Sequence, residues 1–305
     1  MKYIISGSNG ALGSSIVKEL ECRNLKKDVD FIKGTRENFN IEDRDIVFKT
    51  VTDFKPDVII HPAAYTQVDM CEHMEEYATK VNAYGTKNIV DAANEVGAKV
   101  IYTSTDYVFD GTKPIDEIYH ADDQTNPLNV YGKSKLMGEE FAREYDKSFI
   151  VRTSWVYGLN GNNFVKTMLK LSETKDEISV VDDQIGSPTY TDDLAKLLLT
   201  MAETDKYGTY NATNTGYISW AEFAEKIFEV FERNTKVNKI STEEYWSMLN
   251  KKIAPRPHNS KLSTSELVEN GFNPLPFYLD ALTRYKNELE PKKNDNSKPK
   301  LLTLK

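Results

Sequence analysis

Tyr3-Ile4-Ile5-Ser6-Gly7-Ser8-Asn9-Gly10-Ala11-Leu12-Gly13 decides the fold. Residues 3–6 read as a short buried strand. The apolar run Ile16, Val17 and Leu20 beyond the glycines reads as a helix. A glycine-rich turn between strand and helix aims backbone N–H groups and the helix N-terminus at an anion. Its glycines let phosphates approach the backbone and let the helix pack close to the strand. Gly7, Gly10, Ala11, Leu12 and Gly13 are therefore candidate ligands of a dinucleotide pyrophosphate. The spacing is Gly-x-x-Gly-x-x-Gly, which differs from the commoner Gly-x-Gly-x-x-Gly.

Working outward, a second strand is expected at Val29–Lys33, a third at Val58-Ile59-Ile60, a fourth at Lys99–Thr103 and a fifth at Phe149–Arg152. Helical stripes lie between them: Ile46, Val47, Val51 and Phe54 before Pro56, and one long helix from Met74 to Glu95. Strands alternating with helices in this order indicate an α/β fold, a doubly wound parallel sheet of Rossmann type. Past residue 160 the rhythm changes to short strands and helices. Residues 1–160 read as the dinucleotide-binding domain. Residues 161–290 read as a smaller C-terminal α/β substrate-binding region, with chain segments exchanged between the two. Residues 291–305, rich in lysine, read as a disordered tail.

The C-terminal ends of the expected strands carry the candidate chemistry, because ligands of such a sheet bind beyond those ends. The second strand ends in Lys33-Gly34-Thr35-Arg36. An acidic residue there would bond a ribose 2′-hydroxyl and repel a 2′-phosphate. Thr35 and Arg36 can instead bind the phosphate, which points to NADPH. Asp30 or Glu37 takes the acidic role, and NADH becomes the cofactor, if the register is shifted by a few residues. The third strand runs into Ala63-Ala64-Tyr65-Thr66, where small residues permit either close approach of a cofactor or tight packing. Ser104 and Thr105 follow the fourth strand, and their hydroxyls can bond a substrate oxygen. Tyr131 and Lys135, four residues apart, share one helix face. A nearby ammonium lowers a phenol's pKa from about 10 and suits it to proton transfer.

With 305 residues, a net charge of −8, 39% hydrophobic and 28% charged residues, the chain reads as a globular protein with no general affinity for nucleic acid. No apolar run approaches the roughly 20 residues of a membrane helix. The first strand begins at once, leaving no room for a signal peptide. Cys22 and Cys71 offer no disulfide framework, so a cytoplasmic location is expected. His61, His73, His120 and His258 lack metal-ligand spacing, and no metal site is expected.

The chain resembles the extended short-chain dehydrogenase/reductases, and among them the dTDP-4-dehydrorhamnose reductase group. The features that carry the resemblance are Gly7-x-x-Gly10-x-x-Gly13, Ser104-Thr105-Asp106-Tyr107-Val108-Phe109, Tyr131-x-x-x-Lys135 and Arg152-Thr153-Ser154-Trp155-Val156-Tyr157-Gly158. Asn162-Asn163-Phe164-Val165, Asp183-Gln184-Ile185-Gly186-Ser187-Pro188-Thr189 and Arg256-Pro257-x-Asn259-Ser260 extend it to about residue 288. The resemblance implies NADPH- or NADH-dependent reduction of a 4-keto sugar nucleotide. It makes Tyr131 the proton donor, Lys135 its partner at the nicotinamide ribose, and Thr105 a bond to the reacting oxygen. It places Ala64, Tyr65, Thr66 and Ser104 at the cofactor, and Thr105, Asp106, Trp155, Gln184, Arg256 and Asn259 at the substrate. Dehydratases of the superfamily follow the threonine with Asp-Glu, whereas Tyr107 stands here, so that chemistry lacks its base. An epimerase, a reductase of another 4-keto-6-deoxy sugar, and a non-catalytic nucleotide-binding regulatory subunit are the rival readings. Ser15 stands where some members carry a metal-binding glutamate at a dimer interface, so either a monomer or a homodimer is expected.

Overall fold

The computed structural model describes residues 1–24, 29–249 and 253–291. The expected disordered tail, from residue 292 on, lies outside them. Strands β1 (Lys2–Ile5), β2 (Asp30–Lys33), β3 (Val58–His61), β4 (Lys99–Thr105) and β5 (Ser148–Thr153) all pair in parallel. The strand Gly208–Asn211 returns from beyond residue 160 to complete the sheet against β5. The order is β2-β1-β3-β4-β5 and then Gly208–Asn211. Strand order reverses between β1 and β3, and that switch point opens a crevice above the C-terminal ends.

Apolar residues run continuously along the inner strands because both faces are covered. Successive side chains point to opposite faces. Ile5, Ile60, Ile101 and Phe149 pack with Ile16 and Leu20 of α1 (Ala11–Asn24) and with Leu194 and Leu198 of the helix Thr191–Ala202. Ile4, Ile59, Val100 and Ile150 pack on the other face, against Val47 and Val51 of α2 (Arg44–Phe54) and a second group of helices. Asp43 caps α2, accepting from the N–H groups of Asp45 and Ile46. A third core, built around Tyr157, Tyr190, Phe223 and Tyr285, unites the segments beyond residue 155.

The long helix expected from Met74 to Glu95 is divided. After α3 (Val68–Cys71) comes α4 (Glu75–Thr79), then a π-helical turn at Lys80–Tyr84, then α5 (Gly85–Val96). The wider turn inserts an extra residue into the ladder and re-aims side chains, a device common at functional sites. Here it buries Asn82, which donates to the Tyr65 carbonyl at 3.1 Å and accepts from the Tyr65 N–H at 2.7 Å. The same amide donates to Ser134 Oγ at 2.9 Å, on α6 (Val130–Arg143). One side chain thus ties the segment after β3 to the helix that carries Tyr131 and Lys135.

Candidate active site

A cleft of about 610 Å³ runs over the C-terminal ends of β1, β3, β4 and β5. All the residues expected at a cofactor line it: Gly7, Gly10, Ala11, Leu12, Gly13, Thr35, Arg36, Ala63, Ala64, Tyr65, Thr66, Ser104, Tyr131 and Lys135. Thr105, Asp106 and Trp155 line it too.

The glycine turn is built for close approach. Gly7 has φ +60, and a Cβ on it would lie 3.0 Å from the Ala63 Cα. A Cβ on Gly13 would meet the Gly7 carbonyl oxygen at 2.2 Å, so only glycine lets α1 start directly behind the turn. The opposite wall is held by Ser6, whose hydroxyl bonds the buried His61 ring at 2.6 Å and accepts from the Ala63 N–H at 3.3 Å. Burial holds His61 neutral, with its pKa pushed down to about 3. It is a packing histidine that serves the wall. These features fit a dinucleotide whose pyrophosphate lies against the α1 N-terminus.

At the inner end, β4 and α6 deliver the candidate catalytic groups. Asn129 caps α6 by accepting from the Gly132 N–H at 2.8 Å, and that cap sets where Tyr131 sits. Lys135 is buried; its Nζ donates to the Thr103 carbonyl at 2.7 Å and lies 4.2 Å from the centre of the Tyr102 ring. Burial lowers its pKa to about 7, while the Glu139 carboxylate one turn along α6 pulls it up. Thr105 Oγ1 donates to Asp106 Oδ1 at 3.0 Å and accepts from the Tyr107 N–H at 3.2 Å. Asp106 is buried and its Oδ2 makes no hydrogen bond. Burial pushes Asp106 up to about 6, and the Ser260 and Thr105 hydroxyls pull it back down.

Tyr131 behaves differently from the expectation drawn from its lysine neighbour. Burial pushes the phenol's pKa above its ordinary value, the Asp106 carboxylate adds to this, and the Thr105 hydroxyl opposes it. The ammonium is turned to a backbone carbonyl, and the phenol stays protonated across the neutral range. Ser104 also departs from expectation: its hydroxyl donates to Glu139 at 2.6 Å, so that proton is committed away from the cleft.

Glu139 and Arg152 form a buried pair that sequence reading gave no role. Arg152 donates from Nε and Nη2 to the two Glu139 oxygens, each at 2.8 Å, and from Nη1 to the Ala121 carbonyl at 3.0 Å. The available signals were an arginine inside a continuous apolar strand and a carboxylate four residues after Lys135. At the outer wall, Trp155 has φ +47, a conformation rare for a large side chain. Its indole stacks on Trp220 at 3.5 Å and 10°, and both rings face the cleft. Trp220 carried no local signal, since it reaches the site from a distant helix, Trp220–Val230.

Three expected substrate residues stand off the cleft. Gln184 donates to Thr242 Oγ1 at 3.0 Å. Asn259 donates to the carbonyls of Pro114 and Glu117 at 2.9 and 3.0 Å, holding a loop. Arg256 pairs with Asp69 at 2.9 Å, and its charge acts on Tyr107, which does line the cleft.

Residues 1–290 match the family described as the RmlD substrate binding domain. The spore coat polysaccharide biosynthesis protein SpsK of Bacillus subtilis is 41% identical over 291 residues, covering 94% of this chain and 97% of its own. A dTDP-4-dehydrorhamnose reductase of Sinorhizobium fredii is 38% identical over 296 residues, covering 93% of this chain and 96% of its own. The crystal structure of the Bacillus anthracis dTDP-4-dehydrorhamnose reductase in complex with NADP superposes with a TM-score of 0.87 at 42% identity. It covers 94% of this chain and 99% of that one.

Proposed function

This chain belongs to the RmlD substrate-binding domain family, and from that premise we propose how its residues divide the work of an NAD(P)H-dependent reductase. The enzyme reduces the 4-keto group of dTDP-4-dehydro-6-deoxy-L-mannose, giving dTDP-L-rhamnose. The observation that carries the residue-level reading is the convergence of Thr105, Tyr131 and Lys135 at the inner end of the cleft that begins at the Gly7–Gly13 turn.

When bound, the reduced nicotinamide would supply the hydride for the sugar C4. Tyr131 gives its phenolic proton to the carbonyl oxygen as negative charge builds there. A phenol with a raised pKa is fully protonated at neutral pH and so carries the proton the step needs. Thr105 bonds the same oxygen and keeps it aligned with Tyr131, an oxyanion-hole type of contribution. Lys135, held by the Thr103 carbonyl, places a cation one turn from the phenolate left behind. Asp106, with a free Oδ2 beside Thr105, accepts from a sugar hydroxyl. Trp155, braced by Trp220, gives the sugar an apolar wall.

Thr35 and Arg36 at the far end favour NADPH over NADH. Arg256 reaches the nucleotide part of the substrate only after leaving Asp69, and Gln184 and Asn259 shape the loops around it. Among the described residues no helix is long and apolar enough to cross a membrane. The reading places the chain in the cytoplasm, as a monomer or a homodimer.

The test is an assay of NADPH absorbance with freshly made 4-keto-6-deoxy sugar nucleotide, followed by analysis of the product sugar. Stoichiometric loss of NADPH with formation of the rhamnosyl nucleotide is the expected result. Conversion without loss of NADPH would mark an epimerase and overturn the reading.

A further inference from the structure

The adenosine end of the cleft holds a cluster of which the reductase reading uses only Arg36. Arg36, on the turn after β2, donates to Tyr77 Oη at 2.9 Å and to Glu42 Oε1 at 3.3 Å. Glu42 Oε2 lies 3.2 Å from Lys80 Nζ. Arg36 and Lys80 are well exposed, at 71% and 59%, whereas Glu42 is only 10% exposed and lines the cleft. A single carboxylate therefore occupies two cations: Arg36, which lines the cleft where the ribose of a dinucleotide is expected, and its neighbour Lys80.

We propose that Glu42 is a cofactor-specificity residue, which competes with a ribose 2′-phosphate for Arg36 and Lys80 and so moderates the preference for NADPH. The proposal rests on the reductase reading for the orientation of the cofactor in the cleft. Its physics is simple. A 2′-phosphate repels the Glu42 carboxylate and gains the two cations only by displacing it. A free 2′-hydroxyl carries no charge, leaves the pairs intact and can donate to the same carboxylate. The charged pairs are exposed on the cation side, so their exchange is inexpensive and salt-sensitive.

The test measures dissociation constants of NADPH and NADH by titration calorimetry on the full chain, with no sugar substrate present. In Glu42→Gln the NADPH constant should fall roughly five- to tenfold while that for NADH stays level or rises. The gain should shrink at high salt. It should also shrink in the Arg36→Ala background, where one of the contested cations is missing. Circular dichroism melts of each variant check that the fold is kept. An unchanged ratio of the two constants, or weaker NADPH binding in Glu42→Gln, would overturn the proposal while leaving the reductase reading intact. Failure of the unaltered chain to bind either dinucleotide would overturn both.

Discussion

The two ends of the cleft use the same kinds of group under opposite conditions. At the inner end, Lys135, Glu139 and Arg152 are at most 2% exposed, and their polar partners are buried apart from Arg143, which reaches Glu139 from the surface. At the outer end, Arg36 and Lys80 lie in solvent and share Glu42 across distances above 3 Å. Charges at the inner end therefore hold their positions before any ligand arrives, and burial lowers the proton affinity of Lys135. The two cations at the outer end keep most of their solvation and can change partners. On the proposed reading, chemistry sits where reorganisation is costly, and cofactor choice sits where it is cheap.

The sharpest way to break this contrast is Tyr131→Phe. If the inner end is pre-organised around one proton donor, removing that hydroxyl should lower kcat by about a thousandfold or more. NADPH dissociation constants, set mostly at the other end, should change by less than about twofold. Turnover near that of the unaltered chain would remove Tyr131 from the chemistry. Glu139→Gln comes next in size. It leaves Arg152 charged and underpaired in the core, and breaking such a buried pair costs about 3–5 kcal/mol. Urea unfolding measures that loss directly. A change below about 1 kcal/mol would mean that the inner network is no more committed than the outer one.

Much of this was legible in the sequence, for a reason that explains the rest. Five of the six sheet strands, the glycine turn and the helix carrying Tyr131 and Lys135 are local patterns, and local patterns survive as structure. The unforeseen features depend on residues far apart in the chain. Glu139 meets Arg152 across the helix–strand boundary, and Trp220 meets Trp155 across 65 positions. The division of the Met74–Glu95 helix depends on Asn82 finding Tyr65 and Ser134. Gln184, Arg256 and Asn259 belong to recognisable motifs, yet motif membership does not say whether a side chain faces a ligand or a loop. The sign of the Tyr131 shift was missed because spacing to Lys135 says nothing about burial or about the Asp106 carboxylate.

Asp106→Asn sharpens the contrast through pH. A buried carboxyl raised to about 6 stays protonated in the folded chain over a range where the unfolded chain has lost its proton. Its contribution to stability is therefore complete below about pH 4 and is lost as the pH rises towards 6. The loss is on the order of 3 kcal/mol, from a shift of about two units. Lys135, lowered to about 7, acts in a different window, between about pH 7 and 10. The stability difference between Asp106→Asn and the unaltered chain should then grow in favour of the variant from pH 4 to 6 and level off. A flat difference across that range would show that the inner end is wetter than its packing implies.

The smallest expected effect lies at the outer end, and its smallness is the point. Lys80→Ala removes one exposed partner of Glu42 and should leave the melting temperature within about 1–2 °C, because such pairs contribute about 0–1 kcal/mol. NADPH binding should weaken only about two- to threefold, and NADH binding should not change. The remaining difference should vanish in about 0.5 M salt, where the Debye length is only a few ångströms. A salt-independent loss, or one shared equally by both cofactors, would mean that Lys80 shapes the π-helical turn it begins and does not act as a mobile charge. In that case the outer end, like the inner one, would be set by packing, and the contrast between them would fail.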